Sequence, residues 1–197
     1  MRLNGFLEKT PIDSFNSVAA YSLSPKAFRK FILCERKWLW QEIKSSQPDH
    51  DLMLVEIRSR LMSKKNVAKY YTENELQSKL PTEADFPIDV MANLHCDAAI
   101  IINGGGNSYY FAVEYDHSHL TRVKCRERLT NFYSEIEISG VIYVVAKDFQ
   151  MKVIREIDDE IRPKDRSKMF VTTIKEMFEQ NSQIEIINSR KEKLVVE

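Results

Sequence analysis

Residues 95–119 read HCDAAIIINGGGNSYYFAVEYDHSH. Two runs rich in β-formers, AAIII and YYFAV, flank NGGGNS, whose residues tolerate positive φ, and the pattern predicts a β-hairpin. A turn centred between Gly105 and Gly106 sets Asp97 directly across from Glu114. Side chains alternate with period two, so Asp97 shares a face with Ala99 and Ile101, and Glu114 shares its face with Tyr110, Ala112 and Asp116. All three acids are therefore expected on one side, near the open end of the hairpin.

Opposed residues in an antiparallel pair hold their Cβ atoms about 4.5–5.5 Å apart, and like charges there are destabilising. A compensating partner is expected: a divalent cation, a shared proton, or a nearby Lys or Arg. Two or three carboxylates with room for water and phosphate suit Mg²⁺ or Mn²⁺. Such an ion activates water and stabilises charge on a phosphodiester. The segment HSHLTRVKCRER follows at once, bringing His117, His119, Arg122, Lys124, Arg126 and Arg128 to the next loop and helix. Cations beside a helix N-terminus offer anion-binding donors and offset the repulsion of the acids. Lys124 is the side chain expected to reach back to them. Arg128 reads equally well as part of a solvated face balanced by Glu127.

Outward from the hairpin, Ser24 and Pro25 begin a helical period through Phe28, Phe31, Ile32, Cys34, Trp38 and Ile43, which predicts a helix over about 25–44. Trp38 is expected in the core and Trp40 partly exposed. A second helical run is expected over about 51–70, carrying Arg58, Arg60, Lys64, Lys65 and Lys69. Thr72 and Glu75 have the spacing of a capping box, which starts a short helix. The prolines and acids of LPTEADFPIDV read as a connector. A helix over LTRVKCRERLTNFYSEI is expected to bury Leu120, Val123, Leu129, Phe132, Tyr133 and Ile136. GVIYVVA reads as a strand covered on both faces, and QMKVIREI as its edge partner. A helix from Pro163 that buries Met169 and Phe170, then a strand at QIEII, complete the chain. The sum is an α/β domain with a mixed sheet. Residues 1–50 form an arm and helix, and 51–197 the core.

The chain has 29 Lys+Arg against 29 Asp+Glu, so only local clustering bears on a polyanionic partner. Arg29, Lys30, Arg36 and Lys37, with Arg58, Arg60, Lys64 and Lys65, would make a phosphate-tracking face. Cys34, Cys96 and Cys125 lack metal-ligand spacing and read as reduced thiols. With no run of roughly 18 apolar residues and no signal-peptide core at the N-terminus, a cytoplasmic protein without membrane contact is expected.

The hairpin acids and their surroundings resemble the PD-(D/E)xK nuclease superfamily, whose core runs αβββαβ and carries Asp, then Glu-x-Lys, on the hairpin. Asp97 in HCDAAIII matches the first acid and Glu114 in FAVEYD the second. VEYDHSH with its basic helix is most similar to nuclease-like replication-relaxation proteins of plasmids and mobile elements. A fainter likeness is to the endonuclease subunit of Tn7-type transposition. The likeness covers about residues 50–180. It implies a restriction-endonuclease-like mixed sheet flanked by helices, DNA as partner, protein partners in a replication or transposition complex, and divalent-metal-dependent cleavage of DNA. It makes Asp97, Glu114 and Asp116 the metal ligands, Lys124 the charge stabiliser, and Arg122, Lys124, Arg126, Arg58 and Lys64 DNA contacts. Glu56 or Glu42 would supply an upstream acid. The family lysine falls at Asp116, so a second expectation is a non-catalytic DNA-binding or assembly module with a degenerate site. A third is an unrelated α/β domain whose hairpin acids are paired by arginines.

Overall fold

The computed structural model describes residues 7–11, 19–23, 48–77, 86–117, 121–180 and 182–197. The expected helix over 25–44, with Trp38, Trp40, Cys34, Glu42 and its four cations, lies outside the described residues, as does His119.

Strands β1 (Leu7–Pro11) and β2 (Ala19–Leu23) pair antiparallel as a two-stranded sheet. The main body begins with α1 (Pro48–Met62), β3 (Val67–Thr72), α2 (Glu73–Gln77) and α3 (Phe86–Asn93). The hairpin β4 (Ala98–Gly104) and β5 (Asn107–Asp116) follows, then α4 (Arg122–Ser134), β6 (Gly140–Val145) and α5 (Asp148–Ile161). β7 (Met169–Thr173), α6 (Ile174–Glu179), β8 (Ile184–Asn188) and β9 (Lys193–Val196) end the chain.

Strands β3 to β9 lie side by side in chain order. The β3–β4 and β4–β5 pairs are antiparallel, β5–β6 and β6–β7 parallel, and β7–β8 and β8–β9 antiparallel. Parallel neighbours need a crossover, and α4 and α5 supply the two. The α/β mixed sheet flanked by helices is thus as expected.

Each face of the sheet carries its own core. Leu129 and Phe132 of α4, with Ile154 and Ile157 of α5, pack on Ala99, Ile101, Ala112, Val141 and Tyr143. On the other face Ile57 and Leu61 of α1 pack on Ala98, Ile100, Val113 and Ile142, joined by Ile184, Ile186 and Val196 of the last two strands. The sheet therefore bends around α1, and Asn66 ties its ends together. The Asn66 N–H donates to the Glu197 carbonyl at 2.8 Å, and its own carbonyl accepts from Asn103 N at 2.8 Å. Its side chain donates to the Val195 carbonyl at 3.1 Å and accepts from Glu197 N at 2.9 Å.

Five local expectations change. Val67–Thr72 is a strand, not the continuation of a helix, because pairing with β4 gives its Tyr70 and Val67 a buried face. Phe86–Asn93, expected as connector, is helical and buries Ile88 and Met91. QMKVIREI belongs to α5: Ile154 and Ile157, three apart, face the core, and the β-branched content misleads. Met169–Thr173 is a strand buried at every position, so it has no polar face whose period would distinguish it from a helix. Within α4, Val123 and Ile136 stand 66% and 74% exposed, so the buried face is Cys125, Leu129, Phe132 and Tyr133.

Candidate functional site

The hairpin has the expected register. Gly105 and Gly106, at φ 57° and 82°, form the two-residue turn, a conformation glycine adopts without steric cost. Gly104 pairs with Asn107, and the ladder runs back to Ala98 opposite Val113. The next step would oppose Asp97 to Glu114. Asp97, however, lies one residue before β4, so the alternation of the strand does not govern its side chain.

A helix-terminating turn places it there. His95 is left-handed at φ 53°, its N–H donating to Ala92 at 3.1 Å, while Cys96 N–H donates to Met91 at 3.2 Å. This is the Schellman ending of α3. From that turn Asp97 Oδ2 accepts from the Tyr115 N–H at 2.8 Å, supplying β5 with an acceptor where β4 has ended. The same oxygen lies 3.5 Å from His50 Nε2 in the first turn of α1. His50 Nε2 also meets the Tyr115 carbonyl at 3.1 Å, and its Nδ1 lies 3.5 Å from Asp51 Oδ1. The ring stacks on Tyr115, with centroids 5.3 Å apart. Contact with Asp51, then Asp97, pushes the imidazole up to about 10 against the opposing effect of its burial.

Glu114 is held from the other face. It is 3% exposed, and its Oε2 is ion-paired with Nη2 of Arg128 on α4. The guanidinium also donates to the His95 carbonyl at 3.3 Å, bridging β5 to the turn before β4. Burial, then the charge of Asp97, pushes Glu114 up to about 8, against the pull of Arg128. The Cys96 thiol adjoins this carboxyl and is itself pushed up, chiefly by burial. Cys96 and Cys125 are both free and buried.

Asp116 shares the face of Glu114, where its charge acts on Cys125 and Tyr143. Its carbonyl accepts from Gln150 Nε2 at 3.4 Å, tying the end of β5 to α5. The three acids expected as metal ligands have different partners. Asp97 is held by Tyr115 and an α1 histidine, Glu114 by an α4 arginine on the opposite side of the sheet. Among the described residues no group of three or more His, Cys, Asp or Glu side chains is arranged to hold a metal ion.

The basic residues divide in the same way. Lys124 is exposed on the first turn of α4, where Thr121 caps the helix through Lys124 N, and its ammonium has no partner among the described residues. Arg128, one turn further along, makes the contact to the acids expected of Lys124. Arg122 pairs with Glu156 at 3.0 Å and Glu160 at 2.5 Å, and Arg126 also pairs with Glu160, which binds α4 to α5 across solvent. Lys64 is buried and donates to the Ser182 carbonyl at 2.9 Å. Arg58 stands over the Tyr70 ring, 5.9 Å from its centroid. Glu56 is exposed on α1.

Two contributors escaped the sequence reading. His50 sits between Asp49 and Asp51, in the gap between the helical runs expected over about 25–44 and 51–70. Glu73 sits inside the capping box formed by Thr72 and Glu75, whose hydrogen bonds are Thr72 N to Glu75 Oε2 at 2.9 Å and Glu75 N to Thr72 Oγ1 at 3.3 Å. The two acids flanking it in D-H-D were the available signal for His50. Glu73 carried none.

No protein-family model matches the chain, and neither a curated protein nor a solved structure matches it. Among the described residues no helix is long and apolar enough to cross a membrane.

Proposed function

We propose that this chain is a DNA-processing protein of nuclease fold that works as a non-catalytic DNA-binding or assembly module of plasmid, phage or transposon systems. The observation that carries this reading is the ion pair between Arg128 and Glu114. A hydrolytic site needs that carboxylate facing a metal ion and needs an ammonium two residues on. Here a guanidinium takes the carboxylate, and Asp116 stands in place of the ammonium. The order α1, β3, β4, β5, α4, β6 supports the nuclease lineage, because it reproduces αβββαβ with α2 and α3 inserted. Protein cations then do the structural work of neutralising an inherited acid pair. The exposed Lys124 is a side chain that could meet phosphate at the start of α4, where the helix dipole also favours an anion.

The test is supercoiled plasmid and linear duplex, each with and without Mg²⁺ or Mn²⁺. Salt-sensitive binding without nicking is expected, with Lys124→Ala lowering the salt slope by about one phosphate contact. Metal-dependent nicking lost in both Asp97→Ala and Glu114→Ala, but kept in Glu179→Ala, would restore the hydrolytic reading. Neither binding nor nicking would leave an α/β domain whose acids are paired for stability alone.

A further inference from the structure

The chain balances 29 cations against 29 acids, yet two short segments do not share that balance. RPKDRSK, residues 162–168 between α5 and β7, has four cations and one acid, Asp165; SRKEK, residues 189–193 at the β8–β9 turn, has three cations and one acid, Glu192. They meet because β8 runs antiparallel to β7, with Phe170 opposite Asn188. Asn188 Nδ2 donates to the Ser167 carbonyl at 3.1 Å, and Arg190 Nη1 to the Lys164 carbonyl at 2.8 Å. The turn itself is fixed by the Asn188 side chain, whose Oδ1 accepts from Arg190 N at 3.0 Å and from Glu192 N at 2.9 Å, and within it Lys191 is left-handed at φ 64°.

Some of these cations are already engaged. Lys168 is buried on the Glu135 carbonyl, Arg162 pairs with Asp159 at 3.0 Å, Arg190 with Glu192 at 3.5 Å and Lys193 with Glu185 at 3.0 Å. Lys164 and Lys191 are exposed, and neither makes an ion pair with a described residue. Arg166 donates from Nη2 to the Tyr133 carbonyl at 3.4 Å and likewise has no carboxylate partner among the described residues. The patch lies at the end of the sheet where the parallel strands β6 and β7 begin, at Gly140 and Met169. Lys124 follows the other end, beyond Asp116, the last residue of β5. The two basic places are therefore separate.

We infer that this two-loop edge is a second contact surface for duplex DNA, holding phosphates through Lys164, Arg166 and Lys191. It rests on the DNA reading proposed above and adds to it a place that Lys124 does not occupy. Duplex DNA carries one negative charge per about 1.7 Å of axis, so a fixed group of cations meets phosphates without reading bases. Single strands are held by aromatic stacking, and membrane surfaces by an apolar face. Neither segment carries an aromatic or aliphatic side chain apart from Pro163, which favours the duplex.

Anisotropy titration of a short mixed-sequence duplex over a salt series tests this on the full chain, on Lys124→Ala, on Lys164→Ala with Lys191→Ala, and on all three changes together, in variants whose melting matches the parent. The paired change is expected to weaken binding several-fold, both alone and on top of Lys124→Ala, and to lower the salt slope by about two phosphate contacts. Lys175→Ala, exposed on α6 after the far end of β7, should leave both unchanged. Duplex binding whose affinity and slope ignore the paired change overturns this inference and leaves the DNA reading standing. Absence of duplex binding by the parent overturns that reading, and this inference with it. Tighter binding of the single strand, or of phosphatidylserine vesicles, that is lost in the paired variant would assign the surface to another partner and overturn the duplex.

Discussion

Arg128 of α4 and Glu114 of β5 form an ion pair across the layer between helix and sheet, with the carboxylate almost wholly removed from water. Removing the guanidinium would strand a buried charge, which typically costs about 3–5 kcal/mol. Arg128→Ala should therefore destabilise the fold by about 3 kcal/mol in chemical denaturation above pH 8, and by less at pH 5, where the carboxyl takes a proton. Glu114→Gln keeps an acceptor for Arg128 and should cost about 1 kcal/mol or less. Equal losses in the two variants would show that the pair is not the source of the effect.

Stability should fall with rising pH from mildly acidic conditions onward. Glu114, raised from 4.5 to about 8, binds its proton more tightly when folded, so stability declines as pH climbs through that window. His50, raised from 6.5 to about 10, contributes stability that is complete below pH 6.5 and lost by pH 10. The steepest loss lies between 6.5 and 8, where both groups act. Thermal melts of His50→Gln should be flatter above pH 8 than those of the parent, and melts of Glu114→Gln flatter below it.

Asn66 makes four hydrogen bonds that join the start of β3 to the end of β9 and to β4. Asn66→Ala removes the two side-chain bonds, at about 1 kcal/mol each. A loss of about 2 kcal/mol is expected, with faster hydrogen exchange in Lys193–Val196 before the central strands respond. Uniform exchange across the sheet would rule out a latch at this edge.

Gly140, the first residue of β6, sits where a Cβ would lie 2.8 Å from the Lys168 carbonyl and 3.0 Å from the Phe111 ring. The first contact is with backbone and cannot rotate away. Gly140→Ala should cost about 1–3 kcal/mol through displacement of β6 from β7, measurable as a lower denaturation midpoint. Gly104→Ala, whose nearest contact is a Tyr109 ring atom at 3.6 Å, serves as the tolerated control.

The two-residue hairpin was legible because glycines at positive φ admit few alternatives, and its register followed from the turn. β6 was legible from an unbroken β-branched run between two helices. Met169–Thr173 and Val67–Thr72 were not, because a short buried segment has no polar face to reveal its period, and neighbouring strands decide it. α5 was concealed by Val153, Ile154 and Ile157, whose β-branching suggests a strand until their helical spacing is set against a sheet that already has its partners.

What the amino-acid order determined by itself was local: the turn, the opposed acids, the capping box at Thr72, and a basic helix directly after β5. Which cation meets which acid was decided only by assembly. Asp97 lies just outside the strand, so the helix ending at His95 sets its direction, and α1 brings His50 from far along the chain to meet it. Burial then makes the choice binding: a carboxyl at the depth of Glu114 needs a proton or a cation within contact distance, and the packing of α4 puts Arg128, not Lys124, within reach.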